Sequence, residues 1–166
     1  MIEMILPVSR KIKLKSNTDI LWDLISSPEN LNLVHPFCKS NKVIKWDNNS
    51  HSDSLLYYNN RTYIREFFEW EEGKGYKLYI GEEGKKKSKV IWEIIKNKNN
   101  SILKISVYPY IFNDKAVIPY LFYYVLFIKP GLSKYLDNVL KGIDWYLTNE
   151  IPVKKNQFGT HKWFSI

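Results

Sequence analysis

The period of the hydrophobic pattern changes once along this chain, and that change bounds what it can fold into. Over residues 42–108 the apolar side chains come in short runs with a period near two; over residues 132–147 they recur at three and four. The first part reads as strands at 42–46, 54–58, 62–70, 76–80, 89–95 and 102–108. Asn59-Asn60, Gly73-Lys74-Gly75 and residues 97–100 supply tight turns, because Asn and Gly tolerate left-handed backbone. Residues 47–53 and the Lys-rich 81–88 read as polar loops. Connections this short join antiparallel neighbours, so the strands form a meander.

Ahead of it, Val8, Arg10, Ile12 and Leu14 alternate with Ser9, Lys11, Lys13 and Lys15, as in a strand with one wet face. Ser16-Asn17-Thr18-Asp19 fits a capping box with Ser16 as the cap, followed by Ile20, Leu21, Leu24 and Ile25 at helical spacing. Ser27-Pro28 reads as a second cap, opening a short helix through Val34 that stops before Pro36. After the meander, Leu132, Tyr135, Leu136, Val139, Leu140, Ile143, Tyr146 and Leu147 form one face of a helix of about five turns. Lys134, Asp137, Asn138, Lys141 and Asp144 take the other face. Pro130-Gly131 is expected to separate this helix from a second helical run at 118–128, which falls short of the roughly 20 residues that span a bilayer.

A length of 166 residues suits one domain, read as 1–166 with a core at about 8–149 and a tail at 150–166. One cysteine, Cys38, excludes a disulfide framework, and His35, His51 and His161 lack metal-ligand spacing. No metal and no cofactor is expected. The first residues carry no secretory h-region, and the expected location is the cytoplasm. The net charge of +8 raises nucleic acid as a partner, but only Arg10, Arg61 and Arg65 among the 25 basic residues are arginines. Phosphate and base-edge recognition favours the guanidinium fork, so the lysines are read as solubilising and no nucleic-acid partner is expected.

The element order of strand, two short helices, meander and long last helix resembles the START-like superfamily, also called SRPBCC or helix-grip. Local phrases add to the likeness: Trp22, Ser27-Pro28-Glu29-Asn30-Leu31, His35-Pro36-Phe37, Tyr63-x-Arg65-x-Phe67-x-x-Trp70, and the closing residues 156–164. They are similar to bacterial members often labelled polyketide cyclase or dehydrase. The resemblance implies an α+β fold in which a curved antiparallel sheet wraps a long C-terminal helix, with two short helices after the first strand. It also implies a cavity between sheet and helix for a hydrophobic small molecule or lipid. One fold serves many functions in this superfamily, so the site must decide.

Aromatic residues make up 16% of the chain, more than a small core requires, and they suit a lined cavity. The expected ligand-binding set is Trp22, His35, Tyr57, Tyr63, Arg65, Tyr79, Trp92 and Tyr108; each is equally compatible with plain core packing. On the strand at 62–70, Tyr63, Arg65, Phe67 and Glu69 share one face. That face is read as solvated, with Arg65 paired to Glu69 or a neighbouring strand. If it turned inward, Arg65 would require a carboxylate or an anionic ligand group. His35 and Cys38 are three apart, but Pro36 lies between them and no third orienting group stands out, so no catalytic residue is assigned. His51 is placed in a solvated loop, and His161 in a tail that packs back. Lys85-Lys86-Lys87 with the aromatic run 120–127 forms a possible transient contact with an anionic membrane, although a solvated loop and buried helix are the favoured reading. The leading function is therefore binding or carriage of a hydrophobic or aromatic small molecule. The alternatives are a cyclase/dehydratase-like enzyme, which needs an acid–base pair in the cavity, and a protein-interaction module with a filled cavity. The oligomeric state is left open.

Overall fold

A computed structural model describes residues 7–110 and 121–165. Strand β1 (Val8–Leu14) is followed by helices α1 (Thr18–Ser26) and α2 (Leu31–Val34). Six strands follow: β2 (Cys38–Trp46), β3 (His51–Tyr57), β4 (Thr62–Glu71), β5 (Gly75–Gly81), β6 (Ser88–Asn97) and β7 (Asn100–Tyr108). A π-helical turn at Tyr124–Ile128 leads into helix α3 (Lys129–Asn149). The strands form one seven-stranded sheet in the order β1-β7-β6-β5-β4-β3-β2, every pair antiparallel. The meander pairs each strand with the next, and β1 closes onto β7 with Val8 opposite Val107 and Leu14 opposite Ser101.

Alternation puts Leu55, Tyr57, Leu78, Val90, Trp92, Ile94, Leu103, Ile105 and Val107 on one buried face. Leu136, Val139, Leu140 and Ile143 of α3 face it, and the Arg10 guanidinium on β1 holds the Asp137 carboxylate of α3 with bonds of 2.6 and 2.9 Å. Gly142 lets α2 lie directly on α3: a Cβ there would stand 1.9 Å from the Val34 carbonyl oxygen. Register shifts in β2, at Cys38/Ser40 and Val43/Lys45, and in β4, at Phe67/Glu69, bend the sheet around the helix.

Several local expectations change. Asn17, not Ser16, caps α1, its side chain accepting from the Ile20 N–H at 2.9 Å. Residues 28–30 form a turn rather than the first turn of a helix, so α2 starts at Leu31 with no side-chain cap. Strands β2 and β3 begin four and three residues earlier than the apolar pattern indicates, which moves His51 and Asp53 out of a loop and into the sheet. Polar residues hid these strand ends because their partners lie elsewhere in the chain. Pro130-Gly131 does not break the last helix. The wide turn before it, with the Lys129 N–H bonded to the Tyr124 carbonyl, makes room for the proline ring. Helix α3 stops where Glu150 turns left-handed at φ 55°. Of the expected helix at 118–128, residues 118–120 lie outside the described residues, and 121–128 are helical.

Candidate functional site

Between the inner face of the sheet and α3 lies a cavity of about 620 Å³. Leu55, Leu78, Val90, Trp92, Ile105 and Val107 wall it on the sheet side, and Leu132, Leu136 and Val139 on the helix side. The tail completes the wall. Its backbone is pinned by the Val153 N–H to the Leu33 carbonyl (2.9 Å) and the Asn156 N–H to the Pro36 carbonyl (3.0 Å), which brings Trp163 and Phe164 back to the lining. Asn59 donates to the Trp163 carbonyl, and His161 Nε2 donates to the Gly131 carbonyl at 2.9 Å. Gly131 is required there, since a Cβ would lie 2.3 Å from the Trp163 ring. At the surface end of the cavity the lining is charged: Arg61 pairs with Glu82 at 3.0 Å, and Lys85 pairs with the same carboxylate.

The inner end is polar and buried. Cross-strand register sets Asp53 of β3 opposite Arg65 of β4. Arg65 Nε bonds Asp53 Oδ1 at 2.7 Å, and its Nη2 bonds Oδ2, with Arg65 3% and Asp53 0% exposed. This fork satisfies both carboxylate oxygens, the condition under which a buried ion pair is tolerated. Burial pulls the guanidinium pKa down, but Asp53 more than offsets it and the net shift is upward. Next to this pair, His35 follows α2. Its Nδ1 accepts from the Phe37 N–H at 3.2 Å, which assigns the proton to Nε2. Nε2 lies 2.8 Å from the Tyr135 hydroxyl of α3, which lies 3.0 Å from the Tyr57 hydroxyl of β3. Burial, reinforced by the Arg65 charge, pushes the His35 pKa down to about 3. Burial pushes both tyrosines well up. Near neutral pH the cluster therefore holds a neutral imidazole and two neutral phenols, and the one imidazole lone pair is already occupied. This arrangement can donate a hydrogen bond but has no poised base.

No family model matches the sequence, and no curated protein sequence matches it. Solved structures do. A START superfamily protein from Mycobacterium smegmatis superposes with a TM-score of 0.64 at 11% identity, over 87% of this chain and 98% of that one. XoxI from Bacillus cereus gives 0.60 at 13% identity, over 87% and 96%. DynU16, a protein of the dynemicin biosynthetic locus, gives 0.63 at 12% identity, over 90% of this chain and 51% of that one. This chain has the START-like helix-grip fold. At these identities the likeness carries the fold alone, so the chemistry must come from the side chains.

In this START-like cavity the structure brings together His35, Tyr57, Tyr63, Arg65 and Trp92. The other three expected residues lie elsewhere. Tyr79 is on the opposite face of β5, 42% exposed and stacked on Phe68 at 4.5 Å. Tyr108 follows Val107, so alternation turns it outward, where the Lys89 ammonium sits over its ring at 4.4 Å. Trp22 is buried on α1 against Trp70 and Tyr76, in a packed cluster beside the cavity.

The Arg65 face is inward, not solvated; of the two partners expected for Arg65, the neighbouring strand supplies it, through Asp53 of β3, and Glu69 does not. The bulge in β4 explains why Glu69 leaves the Arg65 face: past Phe67 the alternation reverses, Trp70 turns in, and Glu69 turns out to Lys77. His51 is not a free loop residue; it stacks on Trp70 at 4.0 Å. The Cys38 thiol points to Asn32 Oδ1 at 3.8 Å, and burial pushes its pKa up to about 12, so it is no thiolate nucleophile. Sequence reasoning missed Asp53 and the site role of Tyr135. A phenol on the otherwise aliphatic stripe of α3 was the available signal for Tyr135; Asp53 carried none without its strand pairing. Among the described residues no group of three His, Cys, Asp or Glu side chains is placed to hold a metal, and no helix is long and apolar enough to cross a membrane. Leu121, Phe122, Tyr123, Val125, Leu126 and Phe127 expose an apolar strip, and Tyr123 also touches the cavity.

Proposed function

We propose that the protein binds an apolar or aromatic small molecule, or a lipid, in the cavity between the sheet and α3. The observation that carries this reading is that about 620 Å³ stays hollow in a chain with so many large rings, a volume within the range of small-molecule sites. The wall supplies apolar area for burial, and the inner His35, Tyr57, Tyr135 and Arg65 supply orientation. Binding is favoured over cyclase-like acid–base chemistry because every titratable group at the inner end is either held neutral or paired. The exposed strip at 121–127, with Lys85 and Lys86 on the same cavity rim, is the surface we assign to membrane contact during ligand exchange.

Native mass spectrometry of the purified protein, with extraction of what co-purifies, tests the reading. A neutral fluorescent probe, N-phenyl-1-naphthylamine, provides the titration. Val107→Trp, which puts an indole into the cavity, is expected to weaken the probe by about tenfold or more while leaving the fold intact. A protein that carries no apolar adduct and does not bind the probe overturns the proposal.

A further inference from the structure

We infer that the cavity takes an uncharged ligand whose inner end presents a carbonyl-type oxygen to the Tyr57 hydroxyl. The inference rests on the binding reading above and narrows it to a chemical class.

It follows from counting hydrogens. His35 Nδ1 is filled by the Phe37 N–H, so Nε2 carries the ring proton and donates to the Tyr135 oxygen. Two hydroxyl hydrogens remain, one on Tyr57 and one on Tyr135. The 3.0 Å bond between the two phenols uses one of them. Among the described residues no other hydrogen bond reaches either oxygen, so one hydroxyl hydrogen is left over whichever phenol donates. A hydroxyl that accepts a hydrogen bond becomes the better donor. Tyr135 accepts from His35 and therefore donates onward, and the chain runs from the Phe37 N–H through His35 and Tyr135 to Tyr57. The spare hydrogen is then that of Tyr57, a residue buried at the inner end and lining the cavity.

The charge at this end selects among ligands that could meet that donor. Both oxygens of Asp53 are taken by Arg65, so the pair is neutral as a unit. His35 is neutral as well. A carboxylate seated here would enter a desolvated site whose one cation already has its counter-ion. An ammonium would meet the Tyr57 hydrogen and no free carboxylate, since both Asp53 oxygens are held by Arg65. A pure hydrocarbon would leave the Tyr57 hydrogen unpaired in an apolar surround, which is the costly arrangement. A ketone, aldehyde, ester or quinone oxygen completes the chain.

Three probes of one skeleton separate these cases: 9-fluorenone, fluorene and fluorene-9-carboxylate, titrated into the whole protein by tryptophan quenching. The ketone is expected to bind roughly three- to tenfold tighter than the hydrocarbon, and the carboxylate weakest. Tyr57→Phe is expected to bring the ketone down to the hydrocarbon's affinity, while unchanged fluorene binding shows that the variant is folded. Tyr135→Phe keeps the preference, because the Tyr57 hydroxyl remains. Infrared spectra give an independent reading without a variant: the carbonyl stretch of bound 9-fluorenone should fall below its value in hexane. Fluorene binding as well as the ketone, a carboxylate that binds best, or a stretch at the hexane value overturns the inference and leaves the binding reading standing. If none of the three probes binds, the inference falls, and the co-purification and naphthylamine measurements decide the binding reading separately.

Discussion

Two aromatic clusters lie side by side under this sheet, and they do opposite work. In the first, Trp22, Trp46, His51, Phe67, Trp70 and Tyr76 pack ring on ring. Trp70 stacks on Tyr76 at 5.3 Å and on His51 at 4.0 Å, Trp22 meets Trp70 edge-on at 5.3 Å, and Phe67 meets Tyr76 at 5.0 Å. None of the six lines the cavity, and α1 meets the rings through Trp22 and through the Tyr76 hydroxyl, which donates to the Ile25 carbonyl at 3.3 Å. In the second, His35, Tyr57, Tyr63, Tyr135, Trp163 and Phe164 also touch one another, backed by Phe37, but as a wall. Phe164 packs on Tyr57 at 4.5 Å and on Tyr135 at 4.8 Å, and the space inside stays open. Composition does not separate the two. The difference lies in what backs the rings. The bulge at Phe67/Glu69 turns both Phe67 and Trp70 of β4 inward on one side, with Phe68 between them facing out. On the other side the hydroxyls and the imidazole bond to each other and hold their rings at the perimeter. Arg65 stands between the clusters, its guanidinium 5.2 Å from the Phe67 ring centre while it also lines the cavity.

The largest expected effect comes from breaking that boundary. Arg65→Leu leaves Asp53 buried without its partner and should cost about 3–5 kcal/mol of stability in urea unfolding. A loss under about 1 kcal/mol would mean that Asp53 is not buried as described. The contrast between clusters comes next. Trp22→Ala should cost about 3–5 kcal/mol, since the filled cluster cannot close over the gap. Tyr63→Ala, at a partly buried side chain beside space that is already hollow, should cost about 1 kcal/mol. Equal losses would erase the distinction between filled and hollow.

Between pH 7 and pH 5 a smaller effect, about 2 kcal/mol, depends on pH. The folded-state pKa of His35 is about 3, below its ordinary 6.5, so the unfolded chain binds the proton first as pH falls. The stability tied to neutral His35 is therefore complete above about pH 6.5 and is lost progressively as pH falls toward 3, by up to about 1.4 kcal/mol per pH unit. Unfolding measured at pH 7 and pH 5 should show a steeper loss in the wild type than in His35→Gln; parallel losses would place the imidazole outside the buried network.

Much of the scaffold is legible along the chain. The period-two runs and the stripe from Leu132 to Leu147 gave the meander and its helix, because side-chain direction repeats with the backbone. Polar strand ends were not legible: residues 38–41 and 51–53 pair by backbone hydrogen bonds that hydropathy does not report. The site was legible in part. Tyr57, Tyr63 and Trp92 could be nominated because aromatic residues in such a sheet tend to face inward somewhere. Tyr79 and Tyr108 could not be excluded, since either face of a strand reads the same until register is known.

The sequence by itself determined the order of the elements, the antiparallel pairing of neighbours and the apolar face of α3, all consequences of local periodicity. Only the tertiary structure decided which face of β4 turns inward, that Asp53 and not Glu69 answers Arg65, and that a histidine after α2, a tyrosine from β3 and a tyrosine from α3 share one hydrogen-bonded chain. The reason is physical. Facing depends on strand register and, past Phe67, on a bulge, and partnership depends on pairing between segments up to 100 residues apart in the chain, neither of which leaves a local trace.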